Sequence, residues 1–133
     1  MNPFFLVAAL ADLTAVAVHG YIGHRAFLTP MTAERLFPTR EFGSAERTRR
    51  VLMVSWHAVT AAFASSAVMM ALLASGAVTS RPAALFLSGM HASFLLVGLA
   101  VGGGRLSTSL KPIPIAFFTC MTTVILMGWL GSR

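Results

Sequence analysis

The chain has 133 residues, of which 56% are hydrophobic and only 11% are charged. An ordinary soluble domain carries roughly 25% charged residues, so the composition argues against one. The net charge of +6 could suit nucleic acid, but the basic residues cluster in loops between apolar blocks. This arrangement predicts a membrane topology and no nucleic-acid partner.

Four apolar blocks follow one another along the chain, approximately at residues 3–22, 51–74, 82–103 and 112–130. Each is close to the ~20 residues that a helix needs to cross ~30 Å of hydrocarbon. None contains an internal lysine or arginine, and no basic residue precedes Arg25, so the first block reads as a retained helix rather than a secretory signal. The sequence therefore predicts an all-α, single-domain, compact bundle of four transmembrane helices.

The basic residues predict how the bundle is oriented. Eight lie in the first loop, at residues 23–50, and in the third loop, whereas only Arg81 and Arg133 fall on the other side. Loops between spans carry their lysines and arginines on the cytoplasmic side. We therefore expect both termini outside and loops one and three in the cytoplasm.

Polar residues define a predicted inner face on each of the first two helices. Helix 1 carries one stripe at helical spacing, made of Asp12, Val16, His19 and Gly23, and helix 2 carries another, made of His57, Ala61, Ala64 and Val68. Both stripes are expected to face a common interior. His24, beside Arg25, is expected at the headgroup boundary.

Individual residues allow local predictions about helix ends, helix packing and the single cysteine. Thr32 is a candidate cap for one helical turn, Ser44 a start for the helix that continues into block two, and Ser80 a cap for helix 3. Helix 3 also contains a G-x-x-x-G pattern from Gly98 to Gly102, of the kind that lets membrane helices pack closely. The single cysteine, Cys120, excludes an internal disulfide, and its apolar segment predicts a buried thiol.

Titratable residues at bilayer depth are rare and count as functional candidates. Counting residues from each helix end places Asp12 and His91 at one level near the midplane, so we expect them to form a polar pair. His19 and His57 share a second level, about 10 Å away along the helix axis, and Cys120 falls close to it.

Three kinds of chemistry could use these groups. His19 and His57 could ligate haem b axially, or could hold a metal ion together with Cys120. Alternatively, the histidines and Asp12 could pass protons across part of the bilayer, since imidazole titrates near neutrality. A helix-to-helix hydrogen bond would equally satisfy Asp12 and His91 without any cofactor.

The run His-x-x-x-Gly-x-Arg at the end of helix 1, formed by His19, Gly23 and Arg25, is followed by Pro30 and by Trp56-His57 early in helix 2. In these features the chain resembles small bacterial inner-membrane proteins with four helices. The resemblance implies this fold and an inner-membrane location, and it implies no particular activity.

Three functional hypotheses follow. The first is an accessory or assembly subunit of a larger membrane complex, with protein partners in the membrane or further copies of itself. The second is a haem- or metal-binding electron-transfer protein, and the third a proton-coupled carrier or channel. The chain contains none of the motifs G-x-S-x-G, H-E-x-x-H or a P-loop, so the sequence leans against an enzyme.

Overall fold

The computed structural model describes residues 1–36, 43–101 and 113–132, and these residues are helical for most of their length. The elements in chain order are α1 (Pro3–Ala15), a π-helix π1 (Val16–Leu28), a 3₁₀ turn (Ala33–Arg35), α2 (Ala45–Ser75), α3 (Arg81–Val101) and α4 (Ile113–Leu130). The all-α prediction is confirmed for this part of the chain.

Three of the helical segments are long and apolar enough to cross a membrane, within the ranges described. They are Pro3–Leu28, Ala45–Ser75 and Arg81–Ala100, and a shorter apolar helix spans Pro114–Leu130. At 1.5 Å per residue, the 31-residue α2 is about 46 Å long. It therefore exceeds the hydrocarbon thickness and carries its charged first turns beyond the apolar stretch.

The helix boundaries differ from the predicted ones chiefly around the first loop. Helical structure continues from the first block to Leu28, and α2 begins at Ala45 instead of residue 51. The predicted start at Ser44 is confirmed, because the Ser44 hydroxyl accepts a hydrogen bond from the backbone N–H of Arg47 at 3.2 Å. The connection between the two helices is shorter than residues 23–50 for this reason.

The other local predictions have mixed outcomes. Ser80 caps α3, since its hydroxyl accepts from the backbone N–H of Ala83 at 3.3 Å. One helical turn does follow Thr32, but the Thr32 side chain makes no capping hydrogen bond. Cys120 is exposed, so the prediction of a buried thiol is wrong.

Several sequence predictions lie outside the described residues. They are Gly102 of the G-x-x-x-G pattern, the predicted helix ends at residues 103 and 112, and the basic residues Arg40, Arg105, Lys111 and Arg133.

The described chain forms two compact units, Met1–Ala11 with Ala67–Arg133 and Asp12–Ser66. The first unit has an apolar core contributed by α1, α2, α3 and α4. Its buried members are Phe5, Ala8, Ala9, Met70, Leu73, Ala74, Ala84, Leu87, Met121 and Ile125. Small residues at the edges of this core allow close packing, since a Cβ on Gly128 would lie 2.7 Å from Phe5 Cε1.

Hydrogen bonds within the first unit connect helix ends. The backbone N–H of Asn2 donates to the Ala74 carbonyl at 2.9 Å, and its side-chain amide donates to the Gly128 carbonyl at 3.0 Å. α3 and α4 pack together, with the Ser88 hydroxyl 3.4 Å from the Thr122 carbonyl. These bonds satisfy polar groups that would otherwise be costly in an apolar surrounding.

The inner face of α2 is one residue out of register with the predicted stripe. His57, Ala61 and Val68 are exposed. The side chains that turn inward along α2 instead share a neighbouring stripe, made of Trp56, Thr60, Phe63, Ala67 and Met70. The prediction for helix 2 is wrong because it took His57 as the marker of the inner face, whereas the His57 imidazole is exposed and pairs with His24.

Candidate functional site

The second unit contains a histidine site built on π1. In a π-helix each N–H bonds to the carbonyl five residues back, so residues five apart succeed one another on one face. His19 and His24 have this spacing. The pattern is continued past the end of π1 by the backbone N–H of Thr29, which donates to the His24 carbonyl at 2.9 Å. Both imidazoles can therefore face the same neighbour, which is α2.

Two glycines let π1 approach α2 closely. A Cβ added to Gly20 would lie 2.8 Å from Thr60 Cγ2, and one added to Gly23 would lie 2.5 Å from Trp56 Cζ2. Both distances are shorter than real Cβ contacts, so a larger residue would push the partner side chain away. These positions require glycine for the space it leaves, not for its backbone freedom.

His19 lies in a closely fitted position between π1 and α2. Its ring stacks on Trp56 with centroids 4.1 Å apart and planes 11° apart, and Phe63 contacts it edge-on at 5.9 Å. The indole N–H of Trp56 donates to the His19 carbonyl at 2.9 Å. The His19 backbone and its ring are therefore both fixed by one tryptophan.

The hydroxyl of Thr60 connects His19 to α2. It lies 2.9 Å from Nδ1 of His19 and 3.3 Å from the Trp56 carbonyl. Thr60 is therefore the hydrogen-bond partner of the His19 ring.

His24 and His57 form an imidazole pair one turn further along. Nδ1 of His24 lies 3.2 Å from Nε2 of His57, and the ring centroids are 5.2 Å apart with planes inclined by 30°. His57 is exposed and His24 is half-buried. The two ring nitrogens thus meet at the surface of the second unit.

This arrangement differs from the predicted partnerships. The sequence paired His19 with His57, whereas the structure gives His19 contacts to Trp56, Thr60 and Phe63 and places His24 against His57. Axial ligation of haem by His19 and His57 stays a prediction. Among the described residues, no three histidine, cysteine or acidic side chains group closely enough to hold a metal ion.

Asp12 and His91, the predicted midplane pair, are both fully buried. The Nδ1–H of His91 donates to the Leu87 carbonyl at 2.9 Å, and its ring contacts Phe94 and Phe118. The pairing of Asp12 with His91 stays a prediction.

The polar residues around the site carry specific contacts. The Arg25 guanidinium donates to the Tyr21 hydroxyl at 2.9 Å and lies over the same ring, 5.5 Å from its centroid. In the connection that follows, a hydrogen bond from the Thr32 side chain, with a smaller contribution from Arg49, holds the pKa of Glu34 below its usual value. Glu34 therefore stays ionised to lower pH than an isolated glutamate.

Sequence reasoning missed three residues of this site, namely His24, Trp56 and Thr60. Two signals could have found them. The five-residue spacing of His19 and His24 fits a π-helical face, and Gly20 with Gly23 indicates a close helix contact. Comparison with protein-family models, with curated proteins and with solved structures found no match.

Proposed function

We propose that the chain is a four-span protein of the bacterial inner membrane, with both termini outside and loops one and three in the cytoplasm. Three long apolar helices support this reading, and the 18 residues of α4 extend about 27 Å, close to the hydrocarbon thickness. The eight basic residues of loops one and three set the orientation.

Cysteine labelling tests the topology. In a Cys120→Ser background, a membrane-impermeant maleimide applied to intact spheroplasts should label Ser132→Cys and leave Ser44→Cys unlabelled. Labelling of Ser44→Cys before lysis would contradict the orientation, and labelling of one position only after permeabilisation provides the control.

We further propose that the protein acts as an accessory or assembly subunit whose outer helices bind a transmembrane helix of another protein. This proposal rests on the chemistry of the exposed helix faces. α4 exposes Thr119, Cys120 and Thr123, and α3 exposes Gly89 and Ser93. Membrane helices place small and hydroxyl-bearing residues where another helix packs against them, so these faces suit protein contact better than acyl chains.

Large apolar side chains accompany these small residues. At helical spacing, Phe86 and Leu96 share the face of α3 that carries Gly89 and Ser93, and they are 72% and 65% exposed. A partner helix on this face would therefore pack over Gly89 and Ser93 and between the larger side chains.

Native extraction with matched variants tests this function. A tagged chain extracted in mild detergent should migrate as a complex of fixed stoichiometry with a second membrane protein. Gly89→Leu combined with Thr123→Leu should dissociate it, while the control Val7→Leu, at an exposed position of α1, should leave it intact. A lone monomer, a complex of identical subunits, or equal behaviour of both variants would contradict the proposal.

A second candidate is a proton-coupled carrier or channel, favoured by the complete burial of Asp12 and His91 within apolar helices. A titratable group at that depth is costly and is typically retained for a pathway or a relay. Proton flux into liposomes should then disappear in Asp12→Asn and persist in Thr14→Val, an exposed neighbour. Equal flux in both variants would contradict this candidate.

A further inference from the structure

We propose that His24 and His57 together bind a divalent transition-metal ion of the class that prefers imidazole, of which Zn²⁺ is the test case. The proposal rests on the pair of ring nitrogens at the surface of the second unit and does not depend on the accessory-subunit role.

The separation of the nitrogens fits such an ion. Zinc binds imidazole nitrogen at about 2.0–2.1 Å in tetrahedral geometry, which places two ligating nitrogens about 3.3 Å apart. His24 Nδ1 and His57 Nε2 are 3.2 Å apart. An ion can therefore enter between the rings with little movement of either one.

The backbone around the pair fixes this separation before any ion arrives. The His24 carbonyl accepts from both the backbone N–H and the hydroxyl of Thr29, at 2.9 and 3.2 Å. On the opposite helix, Trp56 precedes His57 and is bonded to the His19 carbonyl. Because both residues belong to rigid helical segments, ligation would cost little conformational entropy.

The hydrogen shared by the two rings can rearrange when the ion binds. Without the ion, one of the two nitrogens carries a hydrogen that it donates to the other. On ligation that hydrogen moves to the second nitrogen of the same ring, and both facing nitrogens offer lone pairs. No net proton is released and no redox partner is needed.

The surroundings of the two rings also suit ion binding. His57 is exposed, so the remaining coordination positions are open to water or to a donor from a bound molecule. The neighbouring cation, Arg25, is engaged by the Tyr21 hydroxyl and ring. With two protein ligands, the site should bind more weakly than a structural four-ligand site and exchange its ion freely.

Calorimetric titration of the purified full-length protein with Zn²⁺ tests the proposal. We expect one Zn²⁺ per chain, and no heat with Mg²⁺, which prefers oxygen ligands. His24→Gln and His57→Gln should each weaken Zn²⁺ binding by about tenfold or more. Thr79→Gln, at an exposed position between α2 and α3, is the control and should bind as the unaltered chain does.

A double variant provides the decisive comparison. If both rings hold one ion, His24→Gln with His57→Gln should weaken binding by clearly less than the product of the two single losses. Multiplied losses, unchanged binding in His24→Gln, or the absence of Zn²⁺ binding in the unaltered chain would each overturn the proposal. An unchanged far-ultraviolet dichroism spectrum of each variant separates loss of the site from loss of the fold.

Discussion

Gly23→Ala should destabilise the contact between π1 and α2 that builds the histidine site. The added methyl would lie 2.5 Å from Trp56 Cζ2, whereas ordinary contacts begin at 3.4 Å, so the indole must move by about 1 Å. That movement stretches the 2.9 Å bond from Trp56 Nε1 to the His19 carbonyl beyond hydrogen-bonding distance. It also disturbs the stack of Trp56 on His19.

The expected cost combines opposing terms. Overpacking costs about 1–3 kcal/mol, and the lost hydrogen bond about 0.5–1.5 kcal/mol. Replacing glycine by alanine in a helix stabilises the folded state by about 1 kcal/mol. We therefore expect a net loss of about 0.5–3.5 kcal/mol in the free energy of unfolding.

Thermal unfolding in detergent, followed by tryptophan fluorescence, measures this effect. Gly89→Ala is the matched control, because none of the described residues places an atom within 4 Å of a Cβ at that helical position. It should keep or raise the unfolding midpoint, while Gly23→Ala should lower it. If the two variants unfold at the same temperature, the close approach of π1 to α2 is refuted.

Three further substitutions probe separate parts of the structure. Met70→Ala removes a fully buried core side chain and should cost about 2–5 kcal/mol in denaturant unfolding, whereas the half-exposed Met127→Ala should cost well under half of that. Thr60→Val deprives His19 Nδ1 of its hydrogen-bond partner and should cost about 1–3 kcal/mol. Thr123→Val, whose hydroxyl bonds only the Thr119 carbonyl, should be nearly neutral, and equal effects would refute the assigned role of Thr60. Thr32→Ala should raise the pKa of Glu34 toward its ordinary value, because the hydrogen bond that favours the carboxylate is lost. The contribution of that bond is present above the ordinary glutamate pKa and disappears as the pH falls through the lowered one, and an unchanged carboxyl titration by carbon NMR would contradict it.

The helices themselves could be predicted from the sequence, since each apolar block is bounded by loop signals. Ser44 and Ser80 then fixed two of the starts through ordinary capping. Hydropathy sums over many residues, so an error in any single residue changes the result little. Four helical segments could therefore be predicted from hydropathy alone.

The faces of the helices were harder to predict because they depend on register. The stripe from Asp12 to Gly23 faces inward, and Asp12 and Gly23 are buried as expected. On α2, however, a shift of one residue moved the inner face from His57 to Trp56. An imidazole can be satisfied inside or at the surface, so its presence does not identify the buried side.

The π-helix could not be read from a period of 3.6 residues. Extrapolating that period through residues 16–28 separates His19 from His24, whereas the five-residue step brings both to α2. Nothing in hydropathy distinguishes the two helix types. Only the glycines at 20 and 23, which permit the tight contact, offered an indication.

The distance between the two surface imidazoles tests the structural account most directly. Solid-state NMR of the ¹⁵N-histidine-labelled protein in lipid bilayers measures nitrogen–nitrogen separations, and His24→Gln and His57→Gln assign the signals. The structure predicts 3.2 Å between Nδ1 of His24 and Nε2 of His57. A separation beyond about 5 Å, outside hydrogen-bonding reach, would contradict the packing of π1 on α2 and the ion site that rests on it.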